Sequence, residues 1–324
     1  MSVRDCKGKH SSQRGVLRIA PPTPHERAEP SGVRQTMTDT QHGAGPKASE
    51  SEYWRAAAER AWVPLQERID AVLAPLTAVL LEHADPRPGE RVLDVGCGTG
   101  ATVLALAERV GPAGHVLGLD VAEPMLERAR ERAAGLPQVE LRLGDAATYP
   151  YAKEGFDLVF SRFGVMFFAD PVAAFAHIRG ALRPGGRLVF GAFRPLAENP
   201  WVAVPGAAAR PLLPEMPVPG PEEPGQFAFA DPIRVRRILE TAGFHKLAFT
   251  AHDTMMRLAA PGPAGVAEAA GFATQLGPAG RALANAPEAK RAEVREAIAG
   301  ALAPLAGPDG LALKGAIWIV SGQA

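Results

Sequence analysis

Residues 91–101 read Arg-Val-Leu-Asp-Val-Gly-Cys-Gly-Thr-Gly-Ala, and this stretch decides the fold. Arg91 to Val95 is a short apolar run of the kind that forms a buried strand. It breaks into Gly96, Gly98 and Gly100, where the absence of Cβ permits a tight turn and close approach of the backbone to a ligand. Ala101 to Val110 then carries apolar residues at helical spacing, so the glycines join a strand to the start of a helix.

The alternation continues downstream. Strands are predicted at His115 to Leu119, Val139 to Leu143, Phe156 to Ser161 and Arg187 to Phe193, with a helix at Pro124 to Ala134. Another helix opens at Asp170-Pro171, where Asp caps and Pro takes the first helical position. Its buried face is Val172, Phe175, Ile178 and Leu182, and it stops at Pro184-Gly185-Gly186. A helix from Asp231-Pro232 to Ala242-Gly243, a strand over Leu247 to Met255, helices across 260–305 and a last strand at Ala316 to Val320 follow. Strands rich in Val, Leu and Phe that alternate with helices predict an α/β fold, a doubly wound, mainly parallel seven-stranded sheet covered on both faces.

Upstream, Trp62, Leu65, Ile69, Val72, Leu76 and Val79 predict a long amphipathic helix from Tyr53, kinked at Pro75. Residues 1–48 show clusters such as Pro21-Pro22-Thr23-Pro24 and no apolar periodicity, so they are expected to be a disordered tail, with Met37 as an alternative start. The remainder, 49–324, is expected to be one domain. It divides into a helical lid (49–90), a core (91–194), a loop (195–230) and a helical insertion before the last strand (260–305). Lid, loop and insertion would roof a pocket at the carboxyl ends of the strands, where open α/β sheets bind ligands.

The chain's 324 residues carry 35 basic and 35 acidic side chains, a balance that offers no electrostatic footprint for nucleic acid or an acidic membrane surface. A small-molecule partner is expected. No run of 18 apolar residues and no basic-then-apolar leader occurs, which leads to the expectation of a cytoplasmic protein without a membrane span. Cys6 lies in the tail and Cys97 in the glycine loop, which argues against a disulfide or a cysteine-ligated metal.

Gly96, Gly98 and Ala101 also satisfy the dinucleotide pattern, so the glycines alone admit a nicotinamide oxidoreductase. Asp120 ends the second strand 22 residues past Gly98, at the place where a carboxylate meets ribose hydroxyls, and both cofactor types contain that ribose. Asp94 weighs between them without deciding singly. It sits two residues before the first glycine, where its carboxylate can hold an ammonium group, which suits an amino-acid moiety better than a pyrophosphate. Gly144-Asp145-Ala146 at the third strand end adds an acceptor for an adenine amine.

Val92 to Gly100, Gly118-Leu119-Asp120, Gly144-Asp145-Ala146, the run Phe156 to Phe168 and Leu182-Arg183-Pro184-Gly185-Gly186-Arg187-Leu188 together resemble the class I S-adenosylmethionine-dependent methyltransferases. Within them the chain is similar to bacterial ubiquinone/menaquinone-biosynthesis C-methyltransferases, from Tyr53 onward. The resemblance implies a Rossmann-like methyltransferase fold and S-adenosyl-L-methionine as cofactor. It implies that Asp94 with Gly96, Cys97, Gly98 and Gly100 holds the amino-acid end, that Asp120 takes the ribose, and that Val121 and Met125 flank the adenine. Asp145 and Ala146 would meet the adenine edge, with Ser161, Arg162 and Phe163 on the methyl-donor side.

Methyl transfer asks mainly for alignment and exclusion of water. Family members acting on nucleic-acid bases or amides carry Pro-Pro-aromatic after the fourth strand, and here that place is Ser161-Arg162-Phe163-Gly164. Metal-dependent members need carboxylates near the fifth strand end, where this chain has Gly191-Ala192-Phe193, so no metal is expected. Tyr53, Trp54, Met166, Phe167 and Trp201, with Trp62, Phe163, Phe168 and Phe193, are the candidates to line a hydrophobic or aromatic acceptor, methylated on carbon or oxygen. Each can equally be core. Arg162 could ion-pair an acidic acceptor group. His252 is the candidate general base, His177 faces solvent, and Cys97 packs without thiol chemistry. A methyltransferase-fold protein without turnover is the remaining alternative.

Overall fold

The computed structural model describes residues 50–216, 220 and 222–324, so the tail expected over 1–48 lies outside the described residues. Helix α1 (Glu50–Ala57) passes through a π-helical turn at Ala58–Trp62 before α2 (Gln66–Ala84) begins. The helical hydrogen bonding breaks at Pro64, whereas α2 runs on through Pro75, where a kink was expected. Pro64 has no N–H for the Arg60 carbonyl, and the chain there switches to Val63 N–H donating to Ala58 O (3.0 Å) and Leu65 N–H to Ala61 O (2.8 Å). Pro75 lies inside α2 on its exposed side, as does Ala71, whose carbonyl loses the helix bond, so water can take that carbonyl. The opposite face buries Ile69, Leu73, Leu76 and Leu80 at helical spacing, each burial worth about 1.5–3 kcal/mol.

The strands are β1 (Arg91–Val95), β2 (His115–Asp120), β3 (Val139–Leu143), β4 (Phe156–Arg162), β5 (Leu182–Phe193), β6 (His245–Ala259) and β7 (Leu311–Gln323). They form one seven-stranded sheet in the order β3-β2-β1-β4-β5-β7-β6, with β7 antiparallel to both neighbours and the other pairings parallel. This is the doubly wound, mainly parallel arrangement expected from the alternation of strands and helices. Helices α3 (Ala101–Val110), α4 (Glu123–Arg132) and α5 (Pro171–Ala181) make the crossovers, the last capped by Asp170 Oδ1 accepting from Ala173 N–H at 3.0 Å.

Two boundaries differ from expectation. Leu182 leaves the helix and pairs with Phe156, and Arg183 to Gly186 form an excursion before Arg187 re-enters opposite Leu158. Asp157 holds this excursion, accepting from Arg183 Nε (2.5 Å) and Arg91 N–H (2.8 Å). The β6–β7 hairpin is also longer than expected, because its paired register runs from His245↔Gln323 to Ala259↔Leu311 through polar, exposed positions that hydrophobic patterning does not mark.

After β5 come α6 (Pro200–Ala209) and α7 (Pro232–Thr241), and α8 (Pro263–Ala273), α9 (Gly277–Ala282) and α10 (Glu288–Leu302) interrupt the hairpin between β6 and β7. These late helices meet the N-terminal ones. Arg68 on α2 pairs with Glu268 (2.7 Å) and stands 4.7 Å over the Phe272 ring, while Arg281 lies 3.7 Å over Tyr53. The segment leaving β5 is pinned by Asn199, which is fully buried. Its Nδ2 donates to the carbonyls of Arg194 (3.0 Å), Pro195 (3.3 Å) and Ala316 (3.1 Å), and its Oδ1 accepts from Ala316 N–H (2.8 Å) and Trp201 Nε1 (3.2 Å). Asn199→Ala strands several buried partners at once and is expected to lower the unfolding free energy in urea by about 3 kcal/mol. A change under about 0.5 kcal/mol, the range of ordinary surface substitutions, would contradict this account.

Candidate functional site

The loop after β1 is a close backbone crossing. Gly96, Gly98 and Gly100 have φ of +70°, +53° and +89°, and a Cβ on Gly96 would come within 2.9 Å of the Gly164 Cα. Gly164 is the counterpart glycine, since its own Cβ would meet the Val95 carbonyl at 2.6 Å. The Ser161 hydroxyl locks this crossing by donating to Val95 O (2.8 Å) and accepting from Gly164 N–H (3.1 Å). Ser161 is therefore a strut with its hydroxyl spent on main chain, and not a side chain open to the methyl-donor side. Cys97 likewise turns its side chain into the core beside Gly118, and burial pushes its thiol up, so only its backbone faces the loop.

Asp94 is wholly buried. Its Oδ2 accepts from the Thr102 hydroxyl at 2.5 Å, whereas Oδ1 has no hydrogen-bond partner. Burial pushes the carboxyl up to about 7, against the lowering effects of Thr102 and the Arg162 charge, and Asp120 adds to the rise. Asp120 accepts from Gly98 N–H (2.8 Å) on one oxygen and from Ala122 N–H (2.9 Å) on the other. Burial raises its carboxyl as well, partly offset by those backbone donors. Two carboxylates near successive strand ends thus flank the glycine loop, Asp120 bonding directly to its Gly98 amide. A buried oxygen without a donor, two residues before the first of three glycines, fits a ligand with a cationic, N–H-bearing group.

Asp145 is exposed and folds an Asx turn onto Ala147 N–H (2.8 Å), while Ala146 is buried and accepts the Tyr151 hydroxyl through its carbonyl (3.0 Å). His177 is exposed as expected, but its Nε2 also contacts the Tyr149 carbonyl at 2.7 Å, bracing the same loop. Val121 is half-buried. Met125 is buried with Ala122 against Ala58, Trp54 and Trp62, so the N-terminal helices sit directly on the start of α4.

The aromatic candidates separate into two groups. Trp54 meets the edges of Tyr53, Trp62 and Phe167 at ring distances of 5.4, 5.7 and 4.9 Å. Phe163, held at φ +70°, stacks on Phe193 at 4.2 Å, which in turn contacts Trp201 (5.6 Å) and Phe227 (6.0 Å). Met166 is core, and Phe168 packs edge-on to the core residue Phe175. His252 lies level with Phe193 through Phe193↔Ile317↔His252, which is two inter-strand spacings, or about 10 Å, outboard.

Several residues at the site escaped the sequence reading. Asp70 on α2 accepts from Gln66 Nε2 (2.6 Å) and pairs with Arg132 (2.8 Å), and Arg132 also donates to the Thr99 carbonyl in the glycine loop (2.7 Å). Arg162 donates to the Thr77 hydroxyl on α2 at 2.8 Å. A surface groove of about 500 Å³ runs past Val63, Gln66 and Arg128, but it shares none of the glycine-loop residues and does not mark the site. Among the described residues no group of three or more His, Cys, Asp or Glu could hold a metal ion, and no helix is long and apolar enough to cross a membrane.

Residues 92–186 match the family described as "Methyltransferase domain". Over 147 residues the chain is 41% identical to nocamycin O-methyltransferase of Saccharothrix syringae, covering 44% of this chain and 52% of that protein. Over 118 residues it is 42% identical to aklanonic acid methyltransferase of a Streptomyces species, covering 36% and 54%. Over 103 residues it is 41% identical to demethylmenaquinone methyltransferase of Staphylococcus aureus, covering 32% and 43%. The matched segment spans about half or less of each of these relatives.

Because the Asp94 carboxyl is raised in the folded protein from an ordinary 3.8 to about 7, its contribution is most favourable at low pH and is lost as pH rises through that window. The stability of the wild type relative to Asp94→Asn is therefore expected to fall between about pH 4 and pH 8, by up to roughly 4 kcal/mol. Urea titrations of both proteins across that range check this, and a flat difference would contradict it. Gly96→Ala, which drives a Cβ into the Gly164 backbone at a positive φ, is expected to cost about 2–4 kcal/mol. A melting temperature equal to the wild type's would count against the close crossing.

Proposed function

We propose that the chain, whose residues 92–186 match the methyltransferase domain family, transfers a methyl group from S-adenosylmethionine to a small hydrophobic or aromatic acceptor, on carbon or oxygen. The observation that carries the reading is the orphaned Asp94 oxygen buried beside the glycine loop. It attracts a cationic amino-acid end and repels a pyrophosphate, so the nicotinamide alternative is not favoured.

S-adenosylmethionine, when bound, supplies an electrophilic methyl group. The chain's own residues bind, orient and shield. Asp94 and the backbone of Gly96 to Gly100 hold the amino-acid end. Asp120 uses lone pairs left over from Gly98 and Ala122 for the ribose hydroxyls, since a carboxylate offers about four acceptor sites. Asp145 and Ala146 would hold the adenine edge, and Val121 and Met125 would pack against the ring. Trp54, Trp62 and Phe167 form one aromatic cluster and Phe163, Phe193 and Trp201 a second apolar wall, and both would exclude water. Removal of an acceptor proton is not assigned to His252, which stands outboard of that wall. The buried, free Cys97 thiol suits a reducing cytoplasm.

The apolar residues and the names of the relatives, which include an O-methyltransferase, an aklanonic acid methyltransferase and a demethylmenaquinone methyltransferase, support the acceptor class. Incubation with methyl-labelled S-adenosylmethionine and a panel of quinols, polyketide phenols and enols, amines and peptides is the test. Label is expected in an aromatic or enolic product that gains the mass of one methylene. Label confined to amines or peptides would contradict the acceptor class.

A further inference from the structure

We propose that Asp70, contributed by α2 from outside the matched residues 92–186, is a binding residue for an α-amino-acid head group, held jointly by Asp70, Asp94 and Arg162. The proposal rests on the cofactor reading above and deepens it.

Asp70 and Thr77 lie two helical turns apart and so share one face of α2. Both are tied to the rest of the site. Arg132 joins Asp70 (2.8 Å) to the Thr99 carbonyl of the glycine loop (2.7 Å), and Arg162 at the end of β4 reaches Thr77 (2.8 Å). This face of α2 therefore lies over the glycine loop and the ends of β1 and β4. Three polar groups there have unspent capacity. Asp70 Oδ1 and Asp94 Oδ1 are both shielded from solvent and meet no donor, and Asp94 is wholly buried. Arg162 uses one guanidinium nitrogen on Thr77, belongs to none of the ion pairs among the described residues, and feels the charges of both Asp70 and Asp94.

Two carboxylate oxygens without donors and a guanidinium without a carboxylate are the complement of a zwitterion. An ammonium group brings three N–H donors to the two oxygens, and a carboxylate brings planar acceptors to the guanidinium fork. Asp94 alone would satisfy an amine. The addition of Asp70 and Arg162 makes the site selective for an amine and a carboxylate on neighbouring atoms. Asp70 is also joined, through Arg132, to the loop that would carry the nucleoside.

Titration calorimetry of the full chain with S-adenosylhomocysteine and with 5′-methylthioadenosine, which lacks the amino-acid head, tests the assignment. Wild type is expected to bind S-adenosylhomocysteine about 100-fold tighter or more than methylthioadenosine, the scale of several charge-assisted hydrogen bonds. Asp70→Asn is expected to weaken S-adenosylhomocysteine about tenfold and leave methylthioadenosine within twofold. Asp70→Glu, which keeps the charge but displaces the oxygens by one methylene, carries the same comparison with less risk to folding. Equal losses on both ligands would show Asp70 acting only through Arg132 and the loop, and would overturn the proposal. Equal binding of the two ligands by wild type would overturn the head-group receptor while leaving the nucleoside site standing. Binding of neither would overturn the cofactor reading itself.

Discussion

The site depends on one serine hydroxyl that holds two strand ends together. Ser161 bridges the Val95 carbonyl and the Gly164 amide, and the two glycines it brings into register approach closer than any side chain would allow. That contact fixes where β1 ends and therefore where Asp94 is buried. It also sets the turn that places Arg162 on one side of the strand and Phe163, at positive φ, on the other. A polar receptor and an apolar wall thus emerge from the same three residues.

Burying Asp94 has an energetic consequence. Its carboxyl is held near neutrality by desolvation, with one oxygen lacking a donor, so the folded protein without ligand carries a cost that a cationic ligand removes. Ligand affinity and fold stability are consequently linked at this residue, since whatever binds the folded site alone stabilises it. The same logic explains the number of arginine ties around the site. Arg132, Arg68 and Arg281 fasten the N-terminal helices to the loop and to the insertion helices, keeping water away from groups whose value rises as solvent is excluded.

What the sequence disclosed was local. Glycines at 96, 98 and 100, the carboxylates at 94 and 120, and the strand-helix alternation are readable because each is a short-range pattern, and the sheet order follows from the alternation together with the late hairpin. The helix break was misplaced because Pro64 and Pro75 look alike in a linear pattern. They differ in whether the orphaned carbonyl faces water, which only the packing of α2 decides. Ser161 was read as a site residue, yet its hydroxyl is consumed by main chain on another strand. Asp70 was invisible for the opposite reason. It is one of several charged residues on α2, with Glu67, Arg68 and Glu82, and its ion-pair partner Arg132 lies far along the chain. Its position one helical face from Thr77 was the available signal, meaningful only once β4 supplies Arg162.

The central claim is that the loop from Gly96 to Gly100 receives an amino-acid-bearing nucleoside between buried carboxylates. A crystal structure of the chain grown with S-adenosylhomocysteine tests it most directly. The account predicts ribose hydroxyls on Asp120 and the ammonium within hydrogen-bonding distance of Asp94 Oδ1. Nucleoside density elsewhere, or a head group turned away from Asp94 toward solvent, would contradict it.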